Sequence, residues 1–341
     1  MSGTSLDGLD LALCEFKPAK GKYSYRIIKA KTVLYPYKWK HLLSEAKHAN
    51  AKNYVRLHAE YGAFIAKEAN KFLKPLKRRP YAIASHGHTV FHQPLLGFST
   101  QIGCGATIAA HTGITTVCDF RSLDVANKGQ GAPLVPIGDK FLFGDFQACL
   151  NIGGIANISF DKNGKRIAYD ICEANMLLNH LSEKLGRAFD KDGELARGGK
   201  VNKKTLAALN DRDYYSNTGA KSIGREWFER EIMPQLKGKN IQSLLATAVE
   251  HIAHVIASDL DKHKIKNVLV TGGGAFNAYL VEKIRSKTKC RITIPDAETI
   301  NFKEALIFAF LGYLRLNTKT NTLSSVTGAR RDSCGGAVYQ M

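Results

Sequence analysis

Three turns built almost wholly of small residues limit what this chain can become. "MSGTSLDG" runs into the alternating stretch Leu9–Phe16, "NIGGIANIS" sits between two apolar stretches, and "VTGGGAFN" separates a buried apolar run from a helical one. Glycine adopts φ > 0 at no steric cost and lets a ligand approach the main chain closely. Converging N–H groups in such turns seat an anion, and the third turn adds a helix N-terminus. One such turn reads as a plain hairpin as readily as a binding loop. Three in one chain are harder to assign to connection alone. Neither G-x-G-x-x-G nor G-x-x-x-x-G-K-[ST] occurs, so a Rossmann dinucleotide site and a P-loop are not indicated.

The stretches between the turns set the fold class. Residues 9–16 and about 23–35 alternate as paired strands, and 38–75 carry helical spacing. "YAIASHGHTVFHQP" reads as a buried strand entering a polar loop. "FSTQIG", a short helix "GATIAAHTG" and the strand "TTVCDF" follow. From Ala148 a second series begins: strand, glycine turn and strand in "ACLNIGGIANISF", then strand and helix in "RIAYDICEANMLLNHLSEKLG". An amphipathic helix, "IQSLLATAVEHIAHVIASDLDKH", comes after a polar stretch at 190–220. "NVLVTGGGAFNAYLVEKIRS", "RITIP" and "EALIFAFLGYLRL" close the series. Strands alternate with helices in both halves, so the class is α/β. A chain of 341 residues exceeds one ordinary core, so two domains are expected.

Composition excludes several function classes. Seven scattered cysteines with no C-x-x-C read as reduced thiols, not a disulfide frame or zinc site. No basic-then-apolar leader follows Met1, and the apolar run Ala305–Leu314 is too short to span a bilayer. The expected place is therefore the cytoplasm. A formal charge of +19 could serve nucleic acid or an anionic membrane. The lysines are spread along the chain without interleaved aromatics, so a solvated basic surface is the favoured reading.

Polar residues cluster in three places. His86, His88 and His92 stand close together in "ASHGHTVFHQP", with no adjacent carboxylates to complete a metal site, so a hydrogen-bonding loop is expected. "CDFRSLDVANKGQGAPLVP" holds Asp119, Arg121 and Asp124. Arg121 suits a carboxylate or phosphate bidentately, or else an Asp–Arg pair braces the loop. "YDICEANMLLNHL" puts Asp170 at a strand's end and Asn175 at a helix start, the place for catalysis or for a helix cap.

Taken together, "MSGTSLDGLD", "SHGHTVFHQP", "QIG", "DFRSLDVANKGQGAPLVP", "NIGGIANIS", "YDICEAN", "DKDGELARGG", "TGGGAFN", "EALIFAFL" and "SVTGAR" closely resemble the anhydro-N-acetylmuramic acid kinase family, in that family's order and over essentially the whole chain. The family belongs to the superfamily of sugar kinases, actin and Hsp70-type ATPases. The resemblance implies two actin-like (ribonuclease H-like) lobes around a nucleotide cleft. Residues 1–132 would form the N-terminal lobe, with 319–341 packing back on it, and 133–318 the C-terminal lobe. The implied reaction uses ATP, Mg²⁺ and water. It opens the 1,6-anhydro ring of the muramic sugar and phosphorylates O6, giving N-acetylmuramate 6-phosphate in bacterial cell-wall recycling.

The resemblance also implies the site residues. Gly3, Thr4, Ser5, Leu6, Asp7, Gly8, Leu9 and Asp10 would form the first phosphate loop. Gly153 and Gly154 would face the phosphates from the other lobe, and Gly272, Gly273, Gly274 and Asn277 would lie near the adenosine. Asp170 matches the family's catalytic carboxylate. His86, Thr89, Arg121, Asn175 and Glu304 are the substrate candidates; Arg121 would hold the lactyl carboxylate or a phosphate. No metal ligand is assigned. The partner would be a small anhydro-amino sugar, with no membrane and no nucleic acid; a homodimer stays open.

The chain departs from the family pattern in three places. The common catalytic stretch Asp-Thr-Gly-Pro-Gly-Asn is "DICEAN" here, keeping Asp170 and Asn175 and placing the charge of Glu173 near the site. His88 replaces a common glutamine. Relatives carry a short apolar strand before Met-Ser-Gly-Thr-Ser, so such a strand is expected upstream of Met1. A catalytically weak nucleotide-binding relative, a nucleic-acid binder and a kinase for another sugar are the competing readings.

Overall fold

The computed structural model of the protein describes every residue except Thr4, Ser5, Lys20, Thr218, Ala220 and Lys239. Two compact units emerge: Met1–Leu142 with Phe302–Met341, and Phe143–Asn301.

In the first unit, strands β1 (Gly8–Ala19) and β2 (Lys22–Leu34) form an antiparallel hairpin. The helical spacing at 38–75 resolves into two helices, Tyr37–Ser44 and Ala51–Leu73. They are separated where the Asn50 side chain accepts the Asn53 N–H and caps the second. Next come β3 (Ile83–Ala84), β4 (His88–Gln93), β5 (Phe98–Ile102) and β6 (Thr116–Cys118). β4 pairs β5 as a second hairpin, where the sequence suggested a polar loop. β3 lies parallel to β6.

The second unit holds one five-stranded sheet. It comprises β7 (Ala148–Ile152), β8 (Ile155–Lys162), β9 (Lys165–Glu173), β10 (Asn267–Thr271) and β11 (Arg291–Thr293). The spatial order is β11-β10-β7-β8-β9, parallel from β11 to β7 and antiparallel from β7 to β9. The helix Ile241–Lys262 packs on β9 and on four other helices. Its sequence promised one wet face. Instead, runs such as Leu244–Val249 are buried all round, because neighbours cover it on most sides. Such all-round burial marks a central helix.

The last strand, β12 (Ala337–Tyr339), returns to the first unit and pairs antiparallel with β6. The unit boundaries at 142/143 and 301/302 differ from the expected 132/133 and 318/319. The cause is local packing. The helix Val135–Leu142 meets the helix Ala297–Leu316 through a buried Lys303–Asp139 ion pair of 2.8 Å, and a Cβ on Gly138 would lie 2.6 Å from Ile307. The rings of Phe310 and Tyr313 then pack tilted against Phe16 and edge-on against Tyr23 of the first hairpin. All seven cysteines are free thiols. Among the described residues no helix is long and apolar enough to cross a membrane.

Candidate active site

In the first unit the opening turn is closed by main-chain pairing. Ser2 bridges Leu9, the Met1 nitrogen donates to the Asp10 carbonyl at 2.8 Å, and the Asp10 N–H donates to the Met1 carbonyl at 2.8 Å. Between them the Leu6 N–H reaches Gly3 O, and Leu6 takes φ +57°. A leucine in the left-handed region is uncommon and marks a constrained turn. Gly8 backs onto β2, where a Cβ would stand 2.7 Å from Val33 O. Thr4 and Ser5, expected in this loop, lie outside the described residues. Asp7 is exposed, and Asp10 Oδ1 accepts the Thr32 hydroxyl at 2.6 Å.

A chain of side-chain bonds holds this turn from behind. Tyr61 and Tyr35 share a hydroxyl contact of 2.5 Å, Tyr35 donates to Ser2 Oγ at 2.8 Å, and Ser2 Oγ meets His88 Nδ1 at 3.0 Å. His88 is thus a buried brace. His86 accepts at Nε2 from Arg121 Nε (3.1 Å) and Nη2 (2.9 Å), so its proton sits on Nδ1, which donates to Gly87 O at 3.1 Å. Burial foremost, then the Arg121 charge, holds His86 well below the ordinary imidazole range. Arg121 Nη1 also donates to Gly131 O at 2.6 Å. The two aspartates of this loop do not brace Arg121. Asp119 bonds Ser122, while Asp124 accepts the Gly131 N–H and the Thr327 hydroxyl.

Arg121 is therefore preoriented, with the second N–H of each terminal nitrogen left over. Glu304, on the helix Ala297–Leu316, keeps part of its side chain exposed while its neighbours crowd the carboxyl; this desolvation raises the carboxyl pKa, and the Arg121 charge opposes the rise. Thr89 stands in β4 opposite Gln101.

In the second unit the candidates gather at the C-terminal ends of the parallel strands β7 and β10, where open α/β sheets place their ligands. Gly153 and Gly154 make the two-residue turn from β7 to β8. Their carbonyls accept N–H groups of Ala174, Asn175 and Met176 at 2.9–3.0 Å, fixing the helix Asn175–Glu183 on the turn. Asn175 Nδ2 donates to Ile152 O at 3.3 Å.

The turn after β10 closes on the same spot. Gly272 has φ +83°, and a Cβ there would lie 2.7 Å from both Asn151 Oδ1 and Ile152 O; on Gly274 it would lie 2.3 Å from the Ile152 side chain. Only glycine permits this approach. Gly154 and Gly273 remain exposed, with nothing closer than 4.0 Å and 3.4 Å to a Cβ. Asn277 Oδ1 caps the helix Ala278–Lys287 through the Leu280 N–H, so its carbonyl oxygen is committed to the fold.

Asp170 stands near the end of β9. Register places Asn151 of β7 opposite Asn157 of β8, and Asn157 opposite Asp170. Directly paired residues face the same side of a sheet, so the three make a polar row on one face. Neither asparagine stood out in the sequence, where both look like strand interior. Asp170 Oδ2 accepts the Ser222 hydroxyl at 3.0 Å and the Ile223 N–H at 3.1 Å. Burial raises its carboxyl above the ordinary value, and these two bonds oppose the rise.

The expected charge of Glu173 beside the site is a correction. β9 bulges between Asp170 and Cys172, and the Glu173 carboxylate turns into the interior, fully buried against His251 at 3.0 Å. Sequence reading passed over Tyr214 as part of the polar stretch at 190–220, and Ser222 and Ile223 lie just beyond it; the adjacent tyrosines were the available signal. No group of three or more metal-binding side chains exists among the described residues.

The family model "Anhydro-N-acetylmuramic acid kinase" matches residues 1–341. Curated anhydro-N-acetylmuramic acid kinases are similar to this chain. That of Sulfurimonas denitrificans is 34% identical, covering 100% of this chain and 98% of the relative; that of Sulfurovum sp. is 36% identical, covering 99% and 97%. Among solved structures, a ROK hexokinase from Thermus thermophilus has TM-score 0.38 and 14% identity, covering 89% of this chain and 100% of that one. Whole-chain coverage at this identity shows that the chain belongs to the anhydro-N-acetylmuramic acid kinase family and is a kinase.

Proposed function

We propose that the protein uses ATP and water to convert 1,6-anhydro-N-acetylmuramic acid into N-acetylmuramate 6-phosphate, in the cytoplasm, as a step of cell-wall recycling. The observation that carries this reading is Asp170: a partly desolvated carboxylate, pinned through one oxygen, at the end of a polar row that crosses β7, β8 and β9. A raised pKa suits a general base working near neutrality.

Asp170 takes a proton from water as the water oxygen bonds to C1. The C1–O6 bond breaks, and O6 carries its electron pair to the γ-phosphorus while ADP leaves. Phosphoryl transfer asks the protein for positioning and charge neutralisation more than covalent chemistry. The exposed main chain at Gly154 and Gly273 gives the triphosphate a close approach, and the exposed ring of Phe276 beside it offers a face to the base. In the first unit, the turn Gly3–Asp10 supplies further N–H groups, and Arg121, braced by His86, binds an anionic group of the substrate.

Magnesium keeps most of its waters and asks for one or two carboxylates beside the phosphates. Asp10, on the strand that leaves the turn, fits that need. The ion would neutralise charge developing on the transferred phosphoryl group.

The test is turnover in ¹⁸O water with ATP, Mg²⁺ and the anhydro-sugar, read by mass spectrometry. Label at C1 of the product is expected. Label on phosphate, or phosphorylation of an open-ring hexose in place of the anhydro-sugar, overturns the reading.

A further inference from the structure

One stretch of the second unit converges on Asp170 and on nothing else of catalytic character. Besides the Ser222 and Ile223 bonds to its carboxylate, the Asp170 N–H donates to Lys221 O at 3.0 Å, and its carbonyl accepts the Tyr214 hydroxyl at 2.7 Å. Main chain and side chain of this one residue are gripped by residues drawn from 214–223. The stretch is itself tied together, since Lys221 Nζ donates to Tyr214 O at 3.0 Å and lies 4.6 Å from the Tyr214 ring.

The far anchor of the stretch is buried. Tyr215, next to Tyr214 on the short helix Asp213–Ser216, donates to Glu173 Oε2 at 3.2 Å. Glu173 Oε1 lies 3.0 Å from His251 Nε2, both side chains being fully buried, and His251 Nδ1 meets Asn210 Oδ1 at 2.6 Å. An amide oxygen only accepts, so Nδ1 carries a proton. The Tyr215 hydroxyl also lies 3.2 Å from His251 Nε2, so it touches both members of the buried pair. A buried pair of this kind contributes little net stability, but loss of one partner strands the other. Its value lies in the fixed direction it imposes on Tyr215.

We infer that Tyr214 and Tyr215 are positioning residues: the buried Glu173–His251 pair fixes Tyr215, and the helix they share sets Tyr214 and the 221–223 main chain against Asp170, aiming its carboxylate. This rests on Asp170 being the base. It also gives Glu173, which departs from the family pattern, a structural purpose in this chain.

The test is a set of double-variant cycles on the full chain, with kcat and KM measured for both substrates. Tyr214→Phe removes one hydroxyl and is expected to lower kcat about tenfold, the worth of one well-placed hydrogen bond, with KM little changed. Tyr215→Phe and Glu173→Gln are expected to act in the same sense. In the Asp170→Asn background the Tyr214→Phe effect should vanish, because the tyrosine acts only through that carboxylate. A merely structural tyrosine would instead lower turnover by the same factor in both backgrounds, or move KM, and either result overturns the inference. If Asp170→Asn alone keeps turnover, the base assignment falls first and separately. Should Glu173→Gln fail to fold, Tyr214→Phe decides alone.

Discussion

The two units build comparable turns by different means. In Phe143–Asn301 one continuous sheet carries the glycine turns, and its ladders alone set Gly153, Gly154 and Gly272–Gly274 side by side. In the first unit the strands fall into a pair, a triplet and another pair among the described residues. There the opening turn is held by hydroxyls and imidazoles, Tyr61 to Tyr35 to Ser2 to His88. Between the hairpin and the β3–β6 strands lies a cavity of about 640 Å³, lined by Leu9–Phe16, the end of the helix Ala51–Leu73, residues 78–85 and the helix Ala297–Leu316. It holds little of the candidate chemistry, since only Leu9 and Asp10 of the candidates line it. A sheet positions a site through its backbone; where the sheet is divided, side-chain networks must do so, and these depend more on single residues and on protonation.

That difference should appear first in kinetics. Asp170→Asn is expected to lower kcat about 10²–10⁴-fold, the ordinary worth of a general base, while leaving the ATP dissociation constant unchanged. Arg121→Lys loses the fork that engages both His86 and Gly131. It should raise KM for the anionic sugar about tenfold with a smaller effect on kcat. Steady-state kinetics and calorimetric ATP titration check both. An Arg121 variant impaired in kcat alone would erase the distinction between a unit that reacts and a unit that binds.

The next contrast is in stability. Leu150, fully buried at the centre of the five-stranded sheet, should cost about 2–5 kcal/mol when cut to Ala. Leu11 faces the cavity from β1 and has less to lose, so Leu11→Ala should cost about 1 kcal/mol or less. Calorimetric melting of the two variants measures this; equal losses would mean that the first unit packs as tightly as the second.

The sequence showed the frame of both units because periodicity reports burial. The paired strands at 9–16 and 23–35, the glycine turns, and the strands beside Gly153 and Gly272 all lie where alternation and small residues indicated. Asp170 stood out because a carboxylate at the end of "RIAYD" breaks an apolar run. What escaped depends on partners distant in sequence. Asn151 and Asn157 become a row with Asp170 only through register. Glu173 reads as a charge beside the site until the bulge at Ile171 turns it toward His251. Arg121 could not be separated from its neighbouring aspartates, because its partners are a histidine 35 residues away and a carbonyl.

The smallest expected effect concerns pH and the imidazole network of the first unit. His86 is held well below its ordinary value of 6.5, by burial foremost and then by Arg121, whose donors require Nε2 to stay unprotonated. Unfolding returns it to the ordinary value. Between the two values the unfolded chain binds the extra proton, so stability rises with pH there at about 1.4 kcal/mol per unit. The contribution of neutral His86 is whole above pH 6.5 and drains away as pH falls toward the folded value. Between pH 7.5 and 5.5 the protein should therefore lose stability through this residue. His86→Gln keeps an acceptor for Arg121 but cannot titrate, so its melting temperature should fall less over the same interval. The second unit holds its glycine turns through main-chain bonds that do not titrate, and hydrogen exchange at Gly153 and Gly272 should be insensitive to the same change once the intrinsic rate is corrected. If wild type and His86→Gln lose the same stability between these pH values, protonation of His86 is not what sets the pH dependence of the first unit.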